Sequence, residues 1–228
     1  MKYIKTYETI GSELELQKLV IMLKQECPKY VSELRKMNIG RSMDHNEKPI
    51  MLWRGVKNPK FKAGELSVLK DVRKDRLPLD MPSNIQKRFD NKFKEKFDIR
   101  PRSEGLFSTF DMYEAERYGR PFLVFPVGNY NTIWTKLTND LWDYINSSWE
   151  EMLLSDTADQ ISLSIEEFVD NDMIDRIVSS YHKDNLSDLT KNVTRYLPQT
   201  EVTLICDQYY LISSTNVDHV KLLKALIK

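Results

Sequence analysis

Polar side chains stand at three places where the neighbouring residues are apolar. Arg54 interrupts the run Ile50-Met51-Leu52-Trp53-Arg54-Gly55-Val56. Ser108 and Thr109 interrupt Leu106–Phe110. Glu201 opens Val202–Cys206, with Gln199 two residues before it. A buried guanidinium needs an anionic partner, and two kinds are open to Arg54. One is a carboxylate, with Glu201 the candidate, giving a structural ion pair. The other is a phosphate, which a guanidinium grips through two parallel N–H bonds. Residues two apart on an extended segment point to the same side, so Gln199 and Glu201 are expected to face one cleft.

The elements that must position these residues are read from periodicity and caps. Ser12 and Glu15 form a capping-box pattern ahead of an apolar face, giving a helix over 12–26. Pro28 opens a second helix to about residue 37. Residues 50–56 read as a strand, and 57–82, with three prolines and little periodicity, as a long basic irregular excursion. Ser83 is the expected N-cap of a helix to Phe97, with Ile85, Phe89, Phe93 and Phe97 spaced by four. Residues 105–110 and 122–127 read as strands, with an Asp111-capped helix between them ending at Gly119. Residues 131–190 read largely as helices, on one stripe through Trp134, Leu137, Leu141, Trp142, Ile145 and Trp149 and another through Ile165 to Ile177. Residues 201–206 and 209–212 read as the two strands of a hairpin, and 217–227 as a closing helix or last strand. Regular βαβ alternation is absent, which indicates an α+β fold.

The chain has 228 residues, 41% hydrophobic and 30% charged, the mixture of one large globular domain. Its zero net charge is unevenly spread. Lys57–Arg102 carries 14 Lys/Arg against 7 Asp/Glu, and Asn139–Asp188 carries 2 against 13. Two solvated faces that attract each other explain this, as does a basic wall that receives a polyanion such as a dinucleotide, RNA or DNA. The two cysteines, Cys27 and Cys206, have no metal-ligand neighbours in sequence, and His45, His182 and His219 are isolated. No metal site and no disulfide framework is expected, and a reducing cytoplasm fits best. Phosphate-binding P-loop, GxGxxG, HExxH and GxSxG motifs are all missing. No apolar run approaches the ~20 residues that cross a bilayer, so no membrane partner is expected.

The order Arg54-Gly55, Ser108-Thr109, Gln199-Thr200-Glu201 resembles the Arg–Ser–Glu class of ADP-ribosyltransferases, over roughly residues 50–212. The resemblance implies a split antiparallel β-sheet core of ADP-ribosyltransferase type, with N-terminal helices and a helical acidic insertion. It implies a single domain over 1–228, with an N-terminal helical part at 1–48, a β-rich catalytic core at 49–130 and 196–228, and the insertion at 131–195. It implies NAD as substrate and transfer of ADP-ribose to a protein acceptor, with nucleic acid a further acceptor class. Glu201 would be catalytic, Arg54 would hold the pyrophosphate, and Gly55 would let the backbone approach the nicotinamide. Ser108 would bond Glu201 or the ribose, and Thr109 would support the pocket. Phe110 or Tyr118 would stack on the nicotinamide, and Arg73 and Arg76 would neutralise the adenine-side phosphates. Gln199 and Tyr196, in the turn that ends at Pro198, would recognise the acceptor.

The chain departs from that family's pattern where Phe110 replaces the last serine of Ser-Thr-Ser, and where a long acidic interval separates Phe125 from Gln199. The runs Arg100–Glu104 and Cys206–Tyr210 also resemble small proteins of tailed phages, which would place a host protein among the partners and the host cytoplasm as the location. Two other functions stay open: a degenerate binding or inhibitor protein on the same fold, and a nucleic-acid module using residues 57–102. On the enzymatic reading, Glu201→Ala should abolish transfer and leave the fold intact.

Overall fold

The computed structural model describes residues 4–41, 49–62, 64–77, 80–138, 140–154, 164–190 and 200–228, with side chains from residue 13 onward except residue 190. Gln199 and Tyr196 lie outside the described residues. The chain is α+β, with two antiparallel sheets.

Helices α1 (Ile4–Glu26) and α2 (Pro28–Asn38) open the chain. α1 begins well before the Ser12 capping pattern, and Pro28 stands in the first turn of α2. β1 (Trp53–Val56) follows, then β2 (Ser67–Asp71), which lies inside the segment expected to be irregular. β2 is an edge strand with two of its five residues exposed and none buried, so it lacks the apolar run that marks an interior strand. α3 (Ser83–Phe97) is the expected amphipathic helix, but Pro82, not Ser83, occupies its N-cap. After α4 (Pro101–Glu104) come β3 (Leu106–Ser108) and α5 (Met112–Glu116), where the Asp111 side chain accepts from the Tyr113 N–H as its cap requires.

β4 (Arg120–Pro126) leads to β5 (Asn131–Thr135). The second of these corrects the helical reading of 131–190. Trp134 stands opposite Val202 in a sheet and not on a helical stripe. The helices begin later, with α6 (Leu141–Leu153), whose Asp140 side chain accepts from the Trp142 and Asp143 N–H groups. α7 (Ile165–Phe168), α8 (Asn171–Ser179) and α9 (Leu186–Thr190) complete this part. β6 (Glu201–Ile205), β7 (Gln208–Ser213) and α10 (His219–Ile227) end the described chain.

The expected hairpin does not form, because β6 and β7 belong to different sheets. One sheet runs β1-β4-β7-β2 and the other β3-β6-β5. Each of the two late strands is satisfied on both edges by earlier ones, so the Cys206–Asp207 connection carries the chain from one sheet to the other. A backbone bridge joins the sheets, in which Trp53 and Thr109 exchange both hydrogen bonds at 2.7 and 2.9 Å.

Two cores form, and the first draws on both sheets, since Leu106, Trp134, Val202 and Leu204 of the second sheet belong to it. α1, α2 and α10 pack with β1, β4 and β7 in one, through Leu23, Leu34, Leu123, Phe125 and Leu222. α3, α6 and α8 pack with Ile133 of β5 in the other, through Phe89, Phe93, Ile145 and Ile177. The basic and acidic thirds meet along this second core. Lys92 pairs with Asp175 at 2.9 Å, and Arg88 reaches Asn171 at 3.1 Å. Part of the basic face is therefore already matched by the acidic one. Among the described residues, no helix is long and apolar enough to cross a membrane.

Candidate active site

The bridge between the sheets decides where the polar residues fall. It sets Arg54 of β1 next to the Trp53–Thr109 pair and so beside Ser108 of β3. Ser108 stands opposite Val202, the neighbour of Glu201, on β6. Residues that are 147 positions apart in sequence thus line one cavity of about 330 Å³, within the ~300–1,000 Å³ usual for small-molecule pockets. Arg54, Gly55, Ser108 and Thr109 all border it, with Glu201. Arg76 enters from the basic excursion, and Tyr118 from the segment after α5. Arg73 and Phe110 do not border it: Arg73 is exposed, and Phe110 packs against the first core. Glu114 of α5 also lines the cavity, and the sequence reading missed it.

Arg54 is not the partner of Glu201. Its Nη1 donates to the Phe107 carbonyl at 2.7 Å. The carboxylate is held by Arg102 instead. Arg102 Nη1 lies 3.2 Å from both Glu201 oxygens, the Tyr181 hydroxyl donates to Oε1 at 2.8 Å, and the Leu141 N–H donates to Oε2 at 2.9 Å. Burial acts against the Arg102 charge, yet Glu201 and its neighbours hold that guanidinium above its ordinary range. Burial and Glu201 also push the Tyr181 hydroxyl well up. Neither Arg102 nor Tyr181 was legible as a site residue. Arg102 was one basic residue among fourteen, and Tyr181 follows an amphipathic helix with no pattern of its own.

The expected bond from Ser108 to Glu201 is not made. Ser108 is 7% exposed, and its Oγ has no hydrogen-bond partner among the described residues. Thr109 Oγ1 accepts from the Asp111 N–H and so holds the turn into α5. Tyr118 donates to Asp140 Oδ2 at 2.6 Å, which leaves its ring, not its hydroxyl, to the cavity. Burial, then the bond to Asp140, raises the Tyr118 hydroxyl.

Packing requires a glycine at Gly55. A Cβ there would stand 2.0 Å from the Ala115 carbonyl oxygen and 2.9 Å from the Tyr118 backbone. The missing side chain lets the end of α5 pack on β1, which in turn places Tyr118 at the cavity wall. Gly55→Ala is expected to cost about 3 kcal/mol through overpacking, read as a fall of roughly 6–12 °C in thermal midpoint. An unchanged midpoint would contradict this packing.

The cavity is electrostatically unbalanced. Arg102 neutralises Glu201, whereas Arg54 and Arg76 form no ion pair with a described carboxylate. Burial lowers the Arg54 guanidinium, with Tyr209 partly opposing. Burial, then repulsion from Arg54 and Arg102, pushes Arg76 down to about 9 against the pull of Glu201. The guanidinium groups of Arg76 and Arg102 both lie over the Phe107 ring, at 4.3 and 4.4 Å. A cation whose folded value is depressed subtracts from stability at every pH below that value. The subtraction fades only as pH climbs from about 9 toward the ordinary arginine range. Arg76→Met is therefore expected to raise the midpoint of the free protein at pH 7 by about 3 °C, while weakening anion binding. A lowered midpoint would show that Arg76 is structural.

Other chemistries find less support. The thiols of Cys27 and Cys206 are both pushed up to about 12, chiefly by burial, which leaves them poor nucleophiles. Among the described residues, no group of three or more His, Cys, Asp or Glu side chains is placed to hold a metal ion. No protein-family model, no curated protein and no solved structure matches this chain.

Proposed function

We propose that the chain is a mono-ADP-ribosyltransferase that takes ADP-ribose from NAD to a protein side chain, on a split-sheet core of ADP-ribosyltransferase type. One observation carries the reading: two half-buried arginines that pair with no carboxylate among the described residues share a cavity with a fixed carboxylate and a serine hydroxyl that has no hydrogen-bond partner among them. Two adjacent cations match a pyrophosphate, which carries two neighbouring negative charges. The adjacency of the Arg54, Ser108 and Glu201 strands supports the reading of the fold.

In this proposal Arg54 and Arg76 hold the pyrophosphate, and the Ser108 hydroxyl meets the ribose. Bound NAD supplies a glycosidic bond whose electron pair leaves with nicotinamide, so positive charge develops at ribose C1′. Glu201 stabilises that charge. The acceptor's lone pair then forms the new bond to C1′, and its proton passes to solvent. The Tyr118 ring gives the nicotinamide a stacking surface. Gln199 and Tyr196 keep their proposed part in acceptor recognition.

A second reading is favoured by the saturation of Glu201, each of whose oxygens already has two donors within 3.2 Å. On that reading the cavity binds NAD or a related pyrophosphate without turnover. Incubation of the purified protein with NAD labelled in the adenylate moiety and a bacterial lysate separates the two, with Glu201→Gln alongside. Label on a protein band with wild type alone supports transfer. Binding without nicotinamide release supports the second reading, and absence of binding overturns both.

A further inference from the structure

We propose that Arg102 and Tyr181 are the positioning residues of Glu201, and that their hold on the carboxylate leaves Ser108 to face the ligand. The inference rests on the transferase reading. Of the two expectations for Ser108, a bond to Glu201 or to the ribose, it keeps the second.

Three separate elements converge on the carboxylate. Arg102 comes from α4, Tyr181 from just beyond α8, and the Leu141 N–H from the first turn of α6. That N–H is one of the donors a helix leaves unsatisfied at its start, where the helix dipole also favours negative charge. Each group has a support of its own. The Arg102 backbone N–H donates to Asp90 at 2.8 Å, the Tyr181 ring packs edge-on against Phe93 at 4.9 Å, and Asp140 caps α6. The carboxylate is thus locked by a shell that is itself locked, as a group aimed at a developing charge must be.

A purely structural ion pair has no need to border a cavity. Glu201 borders one, beside two cations that pair with no carboxylate among the described residues. Ser108, one strand away, is more than nine-tenths buried and its Oγ has no hydrogen-bond partner among the described residues, although a buried hydroxyl is costly to leave unmatched. With Glu201 fully served from α4, α6 and Tyr181, the free donor and acceptor of Ser108 turn toward whatever fills the cavity.

Tyr181→Phe tests the positioning in the full chain, because it removes one hydrogen bond and keeps the packing ring. The readouts are nicotinamide release as a function of NAD concentration, NAD binding by calorimetry, and thermal midpoint. The expected result is a fall in kcat of about ten- to a hundredfold with KM within about threefold. In a Glu201→Gln background the same change should add nothing, since the two residues act as one unit. A merely structural Tyr181 would lower the midpoint and leave kcat intact below it, and that result overturns the proposal. Should Tyr181→Phe not fold, Arg102→Lys keeps the charge, loses the bridging geometry and is read the same way. Ser108→Ala should weaken NAD binding about tenfold without lowering the midpoint; unchanged binding overturns the ligand-facing role. Wild-type protein that releases no nicotinamide overturns the transferase reading and the positioning together. An active wild type with an unaffected Tyr181→Phe overturns the positioning alone.

Discussion

Glu201→Ala is expected to lower the thermal midpoint by about 10 °C, and so to confuse loss of folding with loss of activity. The sequence reading expected this substitution to leave the fold intact, and the geometry reverses that expectation. Removing the carboxylate strands the Arg102 guanidinium, whose side chain is 10% exposed and whose Nε already lacks a partner. Breaking a buried pair on one side costs ~3–5 kcal/mol, and a domain of this size loses roughly 2–4 °C per kcal/mol. The Tyr181 hydroxyl and the Leu141 N–H lose their acceptor at the same stroke. Circular dichroism melts of Glu201→Ala beside the Glu201→Ala/Arg102→Met double variant check the argument. The double variant should regain most of the loss, because the stranded charge is gone. A single variant that melts like wild type would show that water reaches Arg102 freely. Glu201→Gln, which keeps the volume and one acceptor oxygen, is the better probe of chemistry.

The second large effect is on binding. Arg54→Ala is expected to weaken NAD binding about a hundredfold and to leave the fold standing. A hydrogen bond to a charged group is worth ~1.5–3 kcal/mol, and each ~1.4 kcal/mol is tenfold in affinity. The effect on folding is smaller because two consequences oppose each other. The Phe107 carbonyl loses its donor, while a cation already penalised by burial is removed. Arg54→Lys should recover only part of the affinity, since an ammonium keeps the charge and loses the planar fork. Calorimetric titration with NAD and with inorganic pyrophosphate checks this. Equal losses for the two ligands place Arg54 on the phosphates. A loss for NAD alone moves it to the ribose or nicotinamide, and no loss for either removes it from the site.

Much of the site was legible in the sequence because its residues break a pattern. Arg54, Ser108 and Glu201 are polar groups inside apolar strands, and strands that cross a core bring such groups to one place. Gly55 was legible as a special position, and its packing against the α5 carbonyl was not. Arg102 and Tyr181 were not legible, since they act through a partner distant in sequence and sit in segments whose own pattern is ordinary. In the fold, α3 and β4 show strong periodicity or long apolar runs and lie close to where they were expected. β2 was hidden by its exposure at a sheet edge. β5 was hidden because Trp134 and Leu141 happen to keep helical spacing across a strand and a turn. The hairpin error at residues 201–213 has another origin. Proximity in sequence favours pairing, and only the tertiary arrangement shows that each strand has two other neighbours waiting.

That arrangement has a consequence for synthesis on the ribosome. β6 and β7 are made after the other strands of their sheets, and each is an interior strand. Until β7 emerges, β2 has no partner at all and β4 has only β1. Until β6 emerges, β3 and β5 stand apart. The nascent polypeptide therefore carries open edges until both have emerged, the condition in which chaperones and aggregation compete for it. The cavity cannot accumulate gradually under these conditions. It comes into being in one late event, when two adjacent segments zip into two different sheets, and a cell making this polypeptide meets its chemistry only after that event.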